Sequence, residues 1–157
     1  MLLHIPHSST NIQGVVFDCD ISHELNVMTD WFTNELFEHP YAERVVLSVS
    51  RLVCDVERYE DVSQEYMEKY GMGVCYTKTS EGDTLRAVHR EERNRIVETY
   101  YRPHHRSLEN VINEQLSRVH TVFLVDCHSF SNTVLAHEED TNRPDICLGV
   151  DDEHTPT

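Results

Sequence analysis

Apolar positions in this chain recur with two different periods. Leu2–His7 (LLHIPH) is a short, mostly apolar run that ends at a turn, the pattern of a buried strand. Leu25, Met28, Phe32 and Leu36 repeat at helical spacing and predict an amphipathic helix over about 25–38. Residues 44–50 (RVVLSVS) predict another strand. So do 51–57, where Leu52, Cys54 and Val56 alternate with polar residues. The stretch 59–70 reads as helix stopping at Gly71, and 73–79 (GVCYTKT) as strand. Residues 87–118 predict two helical stretches divided at Pro103, because proline lacks the N–H donor and clashes with the preceding turn. Residues 121–127 (TVFLVDC) are apolar nearly throughout and predict a central strand covered on both faces. A last strand is predicted over 145–150 (DICLGV).

Strands alternating with helices predict an α/β fold, with a mixed or mostly parallel central sheet and helices on both faces. The chain has no internal repeat, and with 5 glycines it has no flexible linker, so residues 1–157 are expected to form a single domain. The sequence stops at DDEHTPT, with the helix-starting chemistry of Thr155 and Pro156 but no helix. It is therefore expected to be incomplete at its C-terminal end.

Composition narrows the class. A hydrophobic content of 39% in 157 residues suffices for a buried core. No run approaches the roughly 20 apolar residues of a membrane helix. Met1 leads directly into Leu2-Leu3-His4 without a basic flank or cleavage site, so no signal peptide is expected. The 5 cysteines are odd in number and scattered, which suits a reducing cytoplasm better than a disulfide framework. A net charge of −15 argues against nucleic acid as partner and makes any cluster of arginines more informative.

Two histidines, His7 and His128, follow predicted strands directly. Ligands of open α/β sheets bind beyond the carboxyl ends of the strands, so both are metal-ligand candidates, imidazole being suited to zinc. Asp126, two residues before His128, shares its strand face and could orient its ring from behind. A catalytic zinc needs a third protein ligand. Asp30 lies off the apolar stripe of its helix, and on residues alone it reads as a cap or a solvated position. Arg51, Arg58, Arg86 and Arg102 form a second constellation, with Asp55 on the face of Arg51. Guanidinium groups grip carboxylates through paired N–H donors, so such a cluster suits a small acidic ligand. Each arginine taken singly is equally a partner for one of the 28 acidic residues. His89, His104 and His105 fit either acid–base or capping roles, while His137, His154 and residues 138–140 read as a solvated loop.

Taken in order, His-Ile-Pro-His-Ser, Thr-Asp-Trp-x-x-x-Glu-Leu-Phe, Ser-Arg-Leu-Val-x-Asp-Val-x-Arg, Gly-x-x-Tyr-Thr, Tyr-Tyr-Arg-Pro-x-His and Asp-Cys-His-Ser resemble the N-formylglutamate amidohydrolase family. The resemblance implies a zinc-carboxypeptidase-like (phosphorylase/hydrolase-like) fold and hydrolysis of an N-acyl amino acid, with N-formyl-L-glutamate as type substrate. It implies His7, Asp30 and His128 as zinc ligands, or ligands of another divalent metal. It implies Arg51, Asp55, Arg58 and Arg102 as holders of the substrate's carboxylates, with Arg102 also a candidate for stabilising the oxyanion. The general base is expected beyond residue 157. The sequence departs from the family pattern at Ser9, usually glycine, and at Glu57, usually asparagine. A non-catalytic module binding an acidic ligand and a metallopeptidase with another substrate are the competing expectations.

Overall fold

A computed structural model describes residues 1–130 and 144–149. Its sheet has the order β2-β1-β3, where β1 is Leu2–Ile5, β2 is Glu43–Val46 and β3 is Leu124–Asp126. Both pairings are parallel, with His4 opposite Val45 on one side and Asp126 on the other. Every residue of β1 is buried, since it has a strand on each edge and side chains packed on both faces. The central strand is thus the short run at the start of the chain. The longer apolar run at 121–127 supplies an edge strand, and Phe123 and Leu124 are 56% and 45% exposed.

Alternation along β1 sends Leu3 and Ile5 to one face, where they pack with Cys127, Phe37 and Ala42. His4 points to the other face and meets His104 of α4 (Arg102–Arg118). Helix α4 therefore covers one face of the parallel sheet, and the segment that follows the short helix Thr33–Leu36 packs on the other. No helix among the described residues is long and apolar enough to cross a membrane.

Several predicted elements form differently. The helix expected over 25–38 is two short pieces, α1 (Ser22–Met28) and α2 (Thr33–Leu36). Between them the Asp30 N–H donates to the His7 carbonyl at 3.0 Å, which ties the break to the end of β1. Phe32 then sits at φ 65°, a left-handed conformation that costs a bulky residue on the order of 1–3 kcal/mol. The expected apolar stripe is consequently split, and Phe32 and Leu36 face solvent.

The strands expected at 51–57 and 73–79 are irregular turns. Leu52 through Val56 are buried in succession, without the in–out alternation of a half-buried strand. Helix is found only at the end of 59–70, as a single 3₁₀ segment (Tyr66–Tyr70). Gly71 closes it at φ 73°, where a Cβ would lie 2.7 Å from Thr77 and Lys78. The helical stretch that begins with α3 (Arg90–Ile96) continues through a π-helical turn, Val97–Tyr101, into α4 without leaving helical dihedrals. The Arg102 N–H reaches the Val97 carbonyl, so the extra residue of the π turn absorbs Pro103 rather than ending the helix. Residues 144–149 form no strand, and Val150 lies outside the described residues. His137, His154 and residues 138–140 also lie outside them.

Candidate metal centre and its carboxylate frame

β1 and β3 are parallel neighbours, so the residues just beyond their carboxyl ends emerge side by side. The His7 and His128 rings are 5.3 Å apart between centroids. His7 is 1% exposed, whereas the His128 side chain is 36% exposed, so one ring forms the floor of the site and the other its rim.

Each imidazole is held on one nitrogen by a buried carboxylate. His7 Nε2 lies 3.0 Å from Asp55 Oδ1, and His128 Nδ1 lies 2.8 Å from Asp30 Oδ2. His7 Nδ1, buried and without a hydrogen-bond partner, is 3.8 Å from Asp30 Oδ2 and 3.3 Å from Glu57 Oε2. His128 Nε2 is 3.1 Å from Glu57 Oε1. The ligand atoms of His7, Glu57 and His128 all lie within 4.8 Å of one another, as do those of His4, Glu57 and Asp126. Burial opposes a charge on His128, yet the surrounding carboxylates of Asp126, Asp30 and Glu57 push its pKa up to about 12. A cluster of carboxylates around two imidazoles has the chemistry of a cation site, and the orphaned His7 Nδ1 offers a lone pair into it.

Asp55, expected at the substrate, is fully buried behind His7. It accepts from Arg51 Nη2 at 2.9 Å, from the Tyr76 hydroxyl at 2.9 Å and from the Glu57 N–H at 3.0 Å, with Arg58 Nε 3.5 Å away. Burial raises its pKa, but Arg51, His7 and Arg58 outweigh that and hold the carboxyl well below the usual range. Its oxygens are thus occupied by the protein itself. Arg51 and Asp55 meet as an i, i+4 pair across a turn and not as neighbours on a strand face.

Arg102 stands apart from this centre. Its exposed guanidinium pairs with Glu60 at 2.6 Å and with Glu98. Arg86 is buried and donates to the carbonyls of Tyr76, Leu52 and Val53, bracing the loop that carries Asp55. Asp126 contacts His128 only at 3.6 Å and bonds His4 Nδ1 at 2.8 Å. His4 Nε2 in turn meets His104 Nε2 at 2.8 Å. Burial, and after it the neighbouring His4, lowers the His104 pKa to about 4, so this ring is uncharged at neutral pH. His105 bonds the Val56 carbonyl, and His89 precedes α3 without a side-chain capping bond.

Sequence reasoning left His104 open between acid–base and capping roles, met Glu57 only as a departure from the family pattern, and did not consider His4. That departure and the i, i+2 spacing of Asp55 and Glu57 were the local signals for Glu57. His4 and His104 meet across a separation of 100 residues.

Comparison with known proteins agrees with this architecture. The sequence model described as "N-formylglutamate amidohydrolase" matches residues 1–157. The chain is 27% identical over 158 residues to an N-formylglutamate deformylase of Pseudomonas putida, covering 96% of this chain and 58% of that protein. It resembles the crystal structure of an N-formylglutamate amidohydrolase from Ralstonia eutropha JMP134 with a TM-score of 0.73 and 21% identity, over 83% of this chain and 54% of that one. This likeness supports the fold. The chain spans a little over half the length of each of these relatives.

Proposed function

The chain belongs to the N-formylglutamate amidohydrolase family, and from that premise we propose that it serves metal-dependent hydrolysis of the amide bond of a small acidic N-acyl amino acid, N-formyl-L-glutamate foremost. The observation that carries this reading is the pairing of His7 and His128, each anchored on one nitrogen by a buried carboxylate, with the His7 Nδ1 lone pair unclaimed. These residues fit a divalent metal, which we take to be zinc. The candidate carboxylate ligands are Asp30, implied by the resemblance, and Glu57, which also faces both rings. When bound, zinc would supply Lewis acidity, polarising a carbonyl and acidifying water at neutral pH.

The chain's own groups prepare the site for that chemistry. Asp55 accepts from His7 Nε2 and so fixes the tautomer that turns Nδ1 inward. The exposed flank of His128 leaves the centre open to a ligand from solvent. Arg51 and Arg58 converge on Asp55 and bring positive charge to the floor of the site, where a substrate carboxylate or a developing oxyanion would need it. In this reading Arg51 stands beside Arg102 as a candidate for that role, each of them already paired with carboxylates of the chain. All 5 cysteines are free thiols, which supports a cytoplasmic setting.

The test is formate release from N-formyl-L-glutamate with zinc supplied. Release that is lost with a chelator and in His128→Ala is the expected result. A chain that binds zinc and acidic amino acids yet hydrolyses neither this compound nor other N-acyl amino acids would instead be a binding module.

A further inference from the structure

We propose that Glu57 is the carboxylate ligand of the metal and that Asp30 is a positioning residue for His128. The inference rests on the metal reading above and assigns its third donor.

One imidazole cannot present both of its nitrogens to a single ion. His128 Nδ1 is taken by Asp30 at 2.8 Å, which leaves Nε2 as the donor. His7 Nε2 is taken by Asp55 at 3.0 Å, which leaves Nδ1. The two remaining nitrogens both face Glu57, at 3.3 Å from His7 Nδ1 and 3.1 Å from His128 Nε2. Donors placed tetrahedrally about 2.0–2.1 Å from zinc stand roughly 3.3 Å apart. Glu57 keeps that spacing to both donors, through Oε2 to His7 Nδ1 and Oε1 to His128 Nε2, whereas Asp30 Oδ2 is 3.8 Å from His7 Nδ1 and 2.8 Å from the other nitrogen of His128, Nδ1. One ligand atom each from His7, Glu57 and His128 also lies within 4.8 Å of the other two. A buried carboxylate on the far nitrogen of a metal-binding histidine is the usual supporting arrangement, and here it occurs twice, at Asp55 and at Asp30. His7 Nδ1 supplies the independent sign of a ligand, since it is buried, aimed into the cluster and lacks a hydrogen-bond partner. The neighbouring group of His4, Asp126 and Glu57 is different. His4 and Asp126 satisfy each other and His104 takes the second His4 nitrogen, so no donor there is left waiting.

Zinc titration by calorimetry, with the visible spectrum of the cobalt-substituted protein, tests the assignment on wild type, Glu57→Gln and Asp30→Asn. Far-UV circular dichroism checks that each variant folds, and Glu57 is partly exposed and on a loop. Glu57→Gln is expected to weaken zinc binding by more than about 100-fold and to change the cobalt bands. Asp30→Asn is expected to cost about 10–100-fold, as supporting carboxylates do, with the bands unchanged. Wild-type affinity and spectrum in Glu57→Gln would overturn the assignment, as would altered bands in Asp30→Asn. A wild-type chain that takes up neither zinc nor cobalt would overturn the metal reading itself and the assignment with it.

Discussion

Asp55 and Glu60 stand five residues apart and each gathers arginine, yet the two clusters are opposites. Asp55 is fully buried and is shared by Arg51, Arg58, Tyr76 and His7. Glu60 lies at the surface, where its pKa is lowered chiefly by its hydrogen bond to the exposed Arg102. In water two opposite charges gain little by meeting, because solvent already stabilises each. In the interior every partner of Asp55 would be stranded without it, so the same chemistry becomes a structural requirement. The buried cluster also sets which His7 nitrogen faces the candidate metal centre. The lesson is that an arginine-rich motif gives no sign of its role until burial is known.

The contrast can be tested hardest at Asp55 itself. Asp55→Ala leaves Arg51 and His7 buried without their carboxylate and is expected to destabilise the fold by about 3–5 kcal/mol, measured by urea denaturation. The same change should also loosen zinc binding, because His7 loses the bond that fixes its tautomer.

Acid tests a second buried polar contact. The His104 pKa is lowered by burial, then by His4, to about 4 in the folded chain, while an unfolded histidine titrates near 6.5. Between those values the unfolded state binds more protons, so stability should fall as pH drops from about 6.5 toward 4. Denaturation midpoints measured across that range should show this slope in wild type and a shallower one in His104→Gln. An equal slope in both would remove His104 from the account.

Tyr76→Phe deletes one of the hydrogen bonds to Asp55 and keeps the ring in its fully buried place. A loss of about 1–2 kcal/mol in the same denaturation assay is expected, well below that of Asp55→Ala. The smallest effect should come from Arg102→Ala, whose midpoint is expected to match wild type because both its partners are solvated. A large loss there would erase the difference drawn between the two clusters.

The class of fold and part of the site were legible in the sequence. A run of apolar residues ending in histidine is a local pattern, and it located both His7 and His128 at strand ends. The alternation at 51–57 misled, because Leu52, Cys54 and Val56 are buried in company with Val53 and Asp55. Burial on all sides erases the in–out rhythm from which strands are inferred. The helical spacing of Leu25, Met28, Phe32 and Leu36 misled for a related reason. A single backbone bond from Asp30 to His7 outweighs the weak helical preference of a few residues.

By itself, then, the sequence determined an α/β chain with a histidine beyond each of two strands and a family resemblance running through its motifs. Local period and strand-end chemistry suffice for that, since both are written in neighbouring residues. Only the tertiary structure decided that Leu2–Ile5 is the central strand, that Asp55 stands behind His7, and that Glu57 faces both rings. Those relations join residues separated by 48 positions for His7 and Asp55, and by 71 for Glu57 and His128. Contacts of that range follow from how the strands order themselves in the sheet, which the pattern of any one segment does not contain.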